Sequence, residues 1–175
     1  FISGGATGIG RMAAEAMAMA GARVLIASRK GSLCASVAEE LNQKGYKGTV
    51  EGFEGDLSSE AGVEAVVKEI KIRTGQLNIL MNNAGRSWGA PLGSFPHNAW
   101  GKVMSLNVAG LFSLTQSLIP LLEKSATHED PARVINVGSV MGEIPMGDGA
   151  YSYSASKAAV HQITRVLANG NAERL

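Results

Sequence analysis

Cysteine is almost missing from this 175-residue chain, with Cys34 the only one. A disulfide within the chain is therefore impossible, and so is a metal site built from four thiolates. Cys34 falls on the apolar face of a predicted helix, where a small buried filler is expected rather than a nucleophile. Charge is also sparse: 18% of residues are charged and the net charge is +1. With no basic run, nucleic acid and anionic membrane are excluded as main partners. No apolar stretch reaches the roughly 18 residues of a membrane span, so none is expected. No secretory leader is visible, which makes a reducing cytoplasm the default expectation. The first residue is Phe rather than Met, so a targeting segment ahead of it stays open. His97, His128 and His161 show no metal-ligand spacing; surface or helix-end positions are expected for each, and no metal. Repeats, low-complexity linkers and hairpin turn signals are all lacking.

Glycine, in contrast, is abundant at 22 residues, without the period of a fibrous protein, and so marks tight turns and close backbone approaches. Hydrophobic content is 45%, enough for one globular domain over 1–175. Short apolar runs alternate with amphipathic stretches. Strands are expected as a stub at 1–2, then at 23–27, 49–53, 77–81 and 133–137. Helices are expected at 9–20, 32–44, from 60 to about 73, at 97–122 and from 151 onward. In the first helix Ile9, Met12, Ala13, Ala16, Met17 and Ala20 recur at helical spacing. This alternation predicts an α/β fold, a doubly wound parallel sheet with helices on both faces.

Between the strand stub and the first helix stands Ser3-Gly4-Gly5-Ala6-Thr7-Gly8-Ile9-Gly10. Gly4 suits a tight turn, Gly8 a backbone approached by a pyrophosphate, and Gly10 close helix packing. The helix that follows aims free N–H groups and its positive dipole end at phosphates. Glycine alone also serves any short strand-to-helix connection; the strand–turn–helix context makes a dinucleotide the favoured ligand. At the end of the second strand, an NAD site places a carboxylate on the ribose 2′-hydroxyl. Here Ser28-Arg29-Lys30 stands instead. Arg29 can pair with a 2′-phosphate through its planar fork, which favours NADP(H), although a solvated basic pair is the plain alternative. Asp56, after the third strand, is expected to cap its helix, meet the adenine, or do both.

The last helix opens Tyr151-Ser152-Tyr153-Ser154-Ala155-Ser156-Lys157. Tyr153 and Lys157, four apart, share one helix face. A phenol is a poor acid–base group at neutral pH, and a neighbouring ammonium favours its ionised form. Tyr153 could then donate a proton to a carbonyl oxygen as hydride reaches the carbon. Ser139, just past the fifth strand, can orient that carbonyl. Asn107 sits inside the long helix, where an amide is a poor choice for packing. Asn82-Asn83-Ala84-Gly85 ends the fourth strand with small residues that admit a cofactor. Tyr151 has no Lys four residues on and is expected to pack or to line a substrate mouth.

Together these residues resemble the short-chain dehydrogenase/reductase family over nearly the whole chain. The glycine turn, Asp56-Leu57, the Asn-Asn-Ala-Gly turn, Asn107, Ser139, and Tyr153 with Lys157 stand in the family order. The resemblance implies that Tyr153 is the acid–base residue and that Lys157 also holds the nicotinamide ribose. It gives Ser139 substrate positioning and Asn107 a water of the proton relay. Ser3 (where Thr is usual), Gly4, Gly8, Ile9, Gly10, Arg29, Asp56, Leu57, Asn83, Ala84 and Gly85 would form the cofactor site with Tyr153 and Lys157.

The stretches 83–90, 131–139 and 156–162 are similar to those of NADPH-dependent 3-oxoacyl-carrier-protein reductases, especially the rhamnolipid type. That implies a 3-oxoacyl thioester on carrier protein or coenzyme A, reduced with NADP(H). A reductase of steroids, sugars or polyols and a non-catalytic NADP-binding sensor or scaffold are the competing readings. Trp88 could line an acyl channel or anchor a loop. Val103, Met104, Leu106, Leu111, Phe112 and Leu114 lie around the long helix, which implies a homodimer or homotetramer, unless this same chain covers them. Family members run to about 250 residues, a common α/β domain size. The domain is therefore expected to be incomplete at both ends, without its C-terminal strands, and its last helix to break at 168–172.

Overall fold

The computed structural model describes residues 1–147 and 149–171, with the side chain of Asn171 excepted. The chain alternates β1 (Ile2–Ser3), α1 (Gly8–Met19), β2 (Arg23–Ser28), α2 (Gly31–Gln43), β3 (Thr49–Glu54), α3 (Glu60–Arg73) and β4 (Ile79–Asn82). There follow α4 (His97–Met104), a π-helical turn (Ser105–Gly110), α5 (Leu111–Glu123), β5 (Arg133–Asn136) and α6 (Tyr151–Asn171). The five strands form one parallel sheet in the order β3-β2-β1-β4-β5. The expected doubly wound α/β fold is therefore present.

β2 shows why both faces must be covered. Val24 and Ile26 point into a core shared with α1 and α2, through Ala14, Ala18, Val37 and Leu41. Leu25 and Ala27 point into the opposite core, with Val66 and Ile70 of α3 and Leu114 and Leu118 of α5. Period-two alternation with apolar residues on both sides is the signature of a strand buried between helix layers.

Several expectations need correction. In α1 the face against the sheet is Gly10, Ala14 and Ala18, while Ile9 and Met12 are 57% and 63% exposed. Small residues win that face because the turn before α1 brings the helix axis close to the sheet. The N-cap of α3 is Ser59, whose Oγ accepts from Gly62 N; Asp56 instead accepts from Ser58 N at 2.9 Å, a local turn bond. The long helix is interrupted by the π-turn, in which each hydrogen-bonded ring holds one extra residue.

The run His97–Glu123 is also long and apolar enough to cross a membrane by length and composition, against expectation, with a mean hydropathy of 1.3 over an 18-residue window. Half of that window is buried within the molecule, where Leu106, Leu114, Leu118 and Leu122 pack in the core and Asn107 is hydrogen-bonded. This chain itself covers Val103, Leu106, Leu111 and Leu114, leaving Phe112 41% exposed. The break expected at 168–172 is not seen through Asn171; Ala172 lies outside the described residues. Cys34 is fully buried, as its filler role requires, with Sγ 3.2 Å from Ser28 Oγ.

Candidate active site

The strand order reverses between β1 and β4, which opens a crevice at their carboxyl ends. The glycine turn leaves β1 there. Gly4 has φ of +67° and Gly8 +52°, values that L side chains rarely adopt. A Cβ on Gly10 would lie 2.4 Å from Gly4 O, so this close packing needs glycine. Ser3 ties the turn to β4: its Oγ accepts from Asn83 N and Ala84 N, both at 3.0 Å. Asn83 returns the tie, its Nδ2 donating to Ser3 O at 3.0 Å and Gly4 O at 3.1 Å.

Ser3, Gly4, Arg29, Asp56, Leu57, Ala84 and Gly85 line one cleft along this crevice. The structure does not bring Gly8, Ile9, Gly10 or Asn83 into its lining: Gly8 and Ile9 begin α1 at the surface, and Asn83 is spent on the turn. Arg29 is exposed at the end of β2. Burial pushes the Asp56 carboxyl up, but bonds from Ser58 and the charges of Arg29 and Arg86 outweigh it and hold it below its ordinary range. That cleft therefore pairs a cation with an ionised carboxylate and backbone N–H groups, a chemistry suited to an adenosine bearing an extra phosphate.

The second cluster gathers around α6. Lys157 is 6% exposed; its Nζ donates to Val137 O at 2.6 Å and lies 5.7 Å from the centre of the Tyr153 ring. Burial disfavours the ammonium and lowers its pKa from 10.5. Ser139 caps the short 3-10 turn Val140–Gly142, its Oγ accepting from Met141 N at 3.3 Å. Gly142 presses on α6, since a Cβ there would fall 2.7 Å from the carbonyl carbon of Lys157.

Asn107, 1% exposed in the π-turn, accepts from Arg86 N at 2.9 Å and donates to Arg86 O at 2.9 Å and Ser156 Oγ at 3.0 Å. Ser156 in turn donates to Tyr153 O at 2.7 Å. Sequence reasoning missed Ser156, although it stands one residue before Lys157; three residues after Tyr153, it faces inward one turn on. It also missed the role of His161, which lies half-buried in the middle of α6 rather than at a helix end: its ring packs against the turn carrying Ser139.

Beyond this cluster an open groove of about 710 Å³ is lined by Leu92, Phe95, Trp100, Pro145, Met146 and Tyr151, with His97 and Ser154 as polar members. Tyr151 packs edge-on to Phe95 at 5.4 Å, in keeping with its expected place at a mouth. Trp88 is not in this lining; Lys102 Nζ stacks over its ring at 5.4 Å, which favours the loop-anchor role. Among the described residues no cluster of three His, Cys, Asp or Glu could hold a metal.

Comparisons with known proteins give the following. The family model for short chain dehydrogenase matches residues 1–174. A rhamnolipids biosynthesis 3-oxoacyl-[acyl-carrier-protein] reductase from Pseudomonas aeruginosa is 48% identical over 167 residues, covering 95% of this chain and 64% of that protein. The 3-oxoacyl-[acyl-carrier-protein] reductase FabG of Aquifex aeolicus is 32% identical over 173 residues, covering 99% of this chain and 67% of that one. The solved Pseudomonas aeruginosa RhlG/NADP active-site complex superposes with a TM-score of 0.92 at 47% identity, over 99% of this chain and 66% of that chain. The chain thus spans just under two thirds of the length of its Pseudomonas relative.

Proposed function

The chain belongs to the short chain dehydrogenase family, and we propose from that premise that it reduces the keto group of a 3-oxoacyl thioester with NADPH. The observation that carries this reading is the cluster at the head of α6, where the buried Lys157 ammonium lies 5.7 Å from the Tyr153 ring and Ser156 links Asn107 to the Tyr153 main chain. NADP(H) fits the cleft: Arg29 would pair with the 2′-phosphate, Asp56 and Leu57 would meet the adenine, and Gly4 would present backbone to the pyrophosphate, with Gly8 and Ile9 offering it the exposed start of α1 and Gly10 letting that helix pack close. Ser3 and Asn83 keep that turn in shape, and Ala84 and Gly85 leave room beside it. When bound, NADPH supplies the hydride.

Ser139 orients the carbonyl by donating its hydroxyl proton to the oxygen. Tyr153 donates its phenolic proton to that oxygen as the C=O π bond breaks and the new C–H bond forms, leaving an alcohol, oxidised cofactor and phenolate. The Lys157 ammonium beside the ring stabilises the phenolate until water returns the proton. Both amide protons of Asn107 are already engaged, so a relay water would rest on its main-chain carbonyl.

The substrate class rests on the groove, whose apolar and aromatic lining suits an acyl chain better than a sugar. The thioester would be carried on an acyl carrier protein or coenzyme A. Phe112, exposed on α5, supports a second copy of the chain as partner. The test follows NADPH absorbance with acetoacetyl-CoA, a steroid ketone and a sugar ketone. Oxidation with acetoacetyl-CoA is expected; turnover of the sugar ketone alone would contradict the acyl reading.

A further inference from the structure

His161 lies on α6 one turn beyond Lys157, and its imidazole is wedged into the backbone of the turn that carries Ser139. A Cβ on Gly138 would sit 2.3 Å from its Nε2, and one on Gly142 would sit 3.0 Å from its Cε1. Two glycines thus make the space for this ring. Ser139 N donates to Nε2 at 3.4 Å, a long bond but the one recorded between the two groups. The other ring nitrogen, Nδ1, is buried and lies 3.4 Å from Glu143 Oε1, at ion-pair distance without hydrogen-bond geometry. Glu143 closes the same turn. A ring that accepts at Nε2 carries its proton on Nδ1, the tautomer that faces the carboxylate.

We infer that His161 is a positioning residue: it holds the 138–143 turn through the Ser139 N–H, with the Glu143 carboxylate beside its other ring nitrogen, so that the Ser139 hydroxyl keeps the orientation its proposed role requires. The inference rests on the proposed role of Ser139. Within the turn Ser139 O accepts from Gly142 N, and Val140 O accepts from Glu143 N and Ile144 N; the Ser139 N–H itself is held from outside, by His161. Ser139 Oγ is bonded back to Met141 N within the turn, and Val140 is 58% exposed. An acceptor one helical turn past Lys157 therefore couples the substrate-orienting serine to the helix that carries the proton donor. A residue that fixes the orientation of a reacting group acts on the reaction through that group.

The test compares His161→Leu, His161→Gln and His161→Asn in the purified protein. Gln can place its carbonyl near the Nε2 position, whereas Asn reaches only the Nδ1 position. Amide hydrogen exchange across 138–143 needs no substrate. It should rise about tenfold in the Leu and Asn variants and stay near wild type in the Gln variant. With acetoacetyl-CoA, kcat should fall in the same order while the NADPH dissociation constant stays unchanged. A Leu variant whose turn exchanges as slowly as wild type would overturn the proposal, as would a Gln variant no better than Leu. Exchange in the predicted order, with no turnover of acetoacetyl-CoA by wild type, would leave His161 holding the turn and would refute the reading of the reaction instead. Thermal unfolding of each variant separates loss of the turn from loss of the fold.

Discussion

Arg29 is exposed at the end of β2 and shares its cleft with Asp56. A guanidinium there has little to contribute to folding, since exposed charges rarely stabilise by more than about 1 kcal/mol. In the proposed function its value lies in binding, where its planar fork would match a phosphate. Arg29→Ala should therefore weaken NADPH roughly 10- to 100-fold, the loss of a charge-assisted hydrogen-bond pair, while NADH binding changes little. Fluorescence titration with both cofactors checks this, and equal loss for the two would remove Arg29 from the 2′-phosphate. At the same scale lies Lys157, whose burial beside a main-chain carbonyl and a phenol ring has no packing rationale. An ammonium is costly to bury. Retaining one at 6% exposure accords with the role proposed for Lys157.

Helix α1 and the turn before it act as one element, and its glycines differ in kind. At Gly10 the obstacle is steric, with Gly4 O 2.4 Å from a built Cβ; at Gly8 nothing lies within 4 Å and only the φ of +52° resists substitution. Gly10→Ala should cost about 3 kcal/mol as overpacking against backbone, and Gly8→Ala about 1 kcal/mol as left-handed strain. Urea unfolding gives the order, and a Gly8 variant less stable than the Gly10 variant would contradict it.

The strands, the helix order and the Tyr153–Lys157 pairing were legible in the sequence because each depends on residues close together in the chain. The inward face of α1 was not legible: hydrophobicity favoured Ile9 and Met12, but distance to the sheet favoured Gly10, Ala14 and Ala18. The π-turn escaped because an extra residue in a hydrogen-bonded ring leaves no mark on an already apolar run. His161 and Ser156 escaped because their partners stand 22 and 49 residues away, in a loop and in another helix.

Across the whole molecule, the reversal of strand order between β1 and β4 places the glycine turn, the ends of β2 and β3 and the residues after β4 around one crevice. Ser3 and Asn83 bond across that reversal, so the cofactor cleft is braced by the sheet itself. On the far side, Asn107 and Ser156 brace Tyr153 through its main chain. The two halves of the site are thus held by separate hydrogen-bond sets, and binding should be separable from chemistry. The most direct measurement is NADPH titration and NADPH oxidation side by side in Tyr153→Phe. The phenol-less variant should bind NADPH as wild type does and lose turnover by about 10²- to 10⁴-fold, the usual worth of a general acid. Turnover close to wild type would contradict Tyr153 as the proton donor and, with it, the reading of this site.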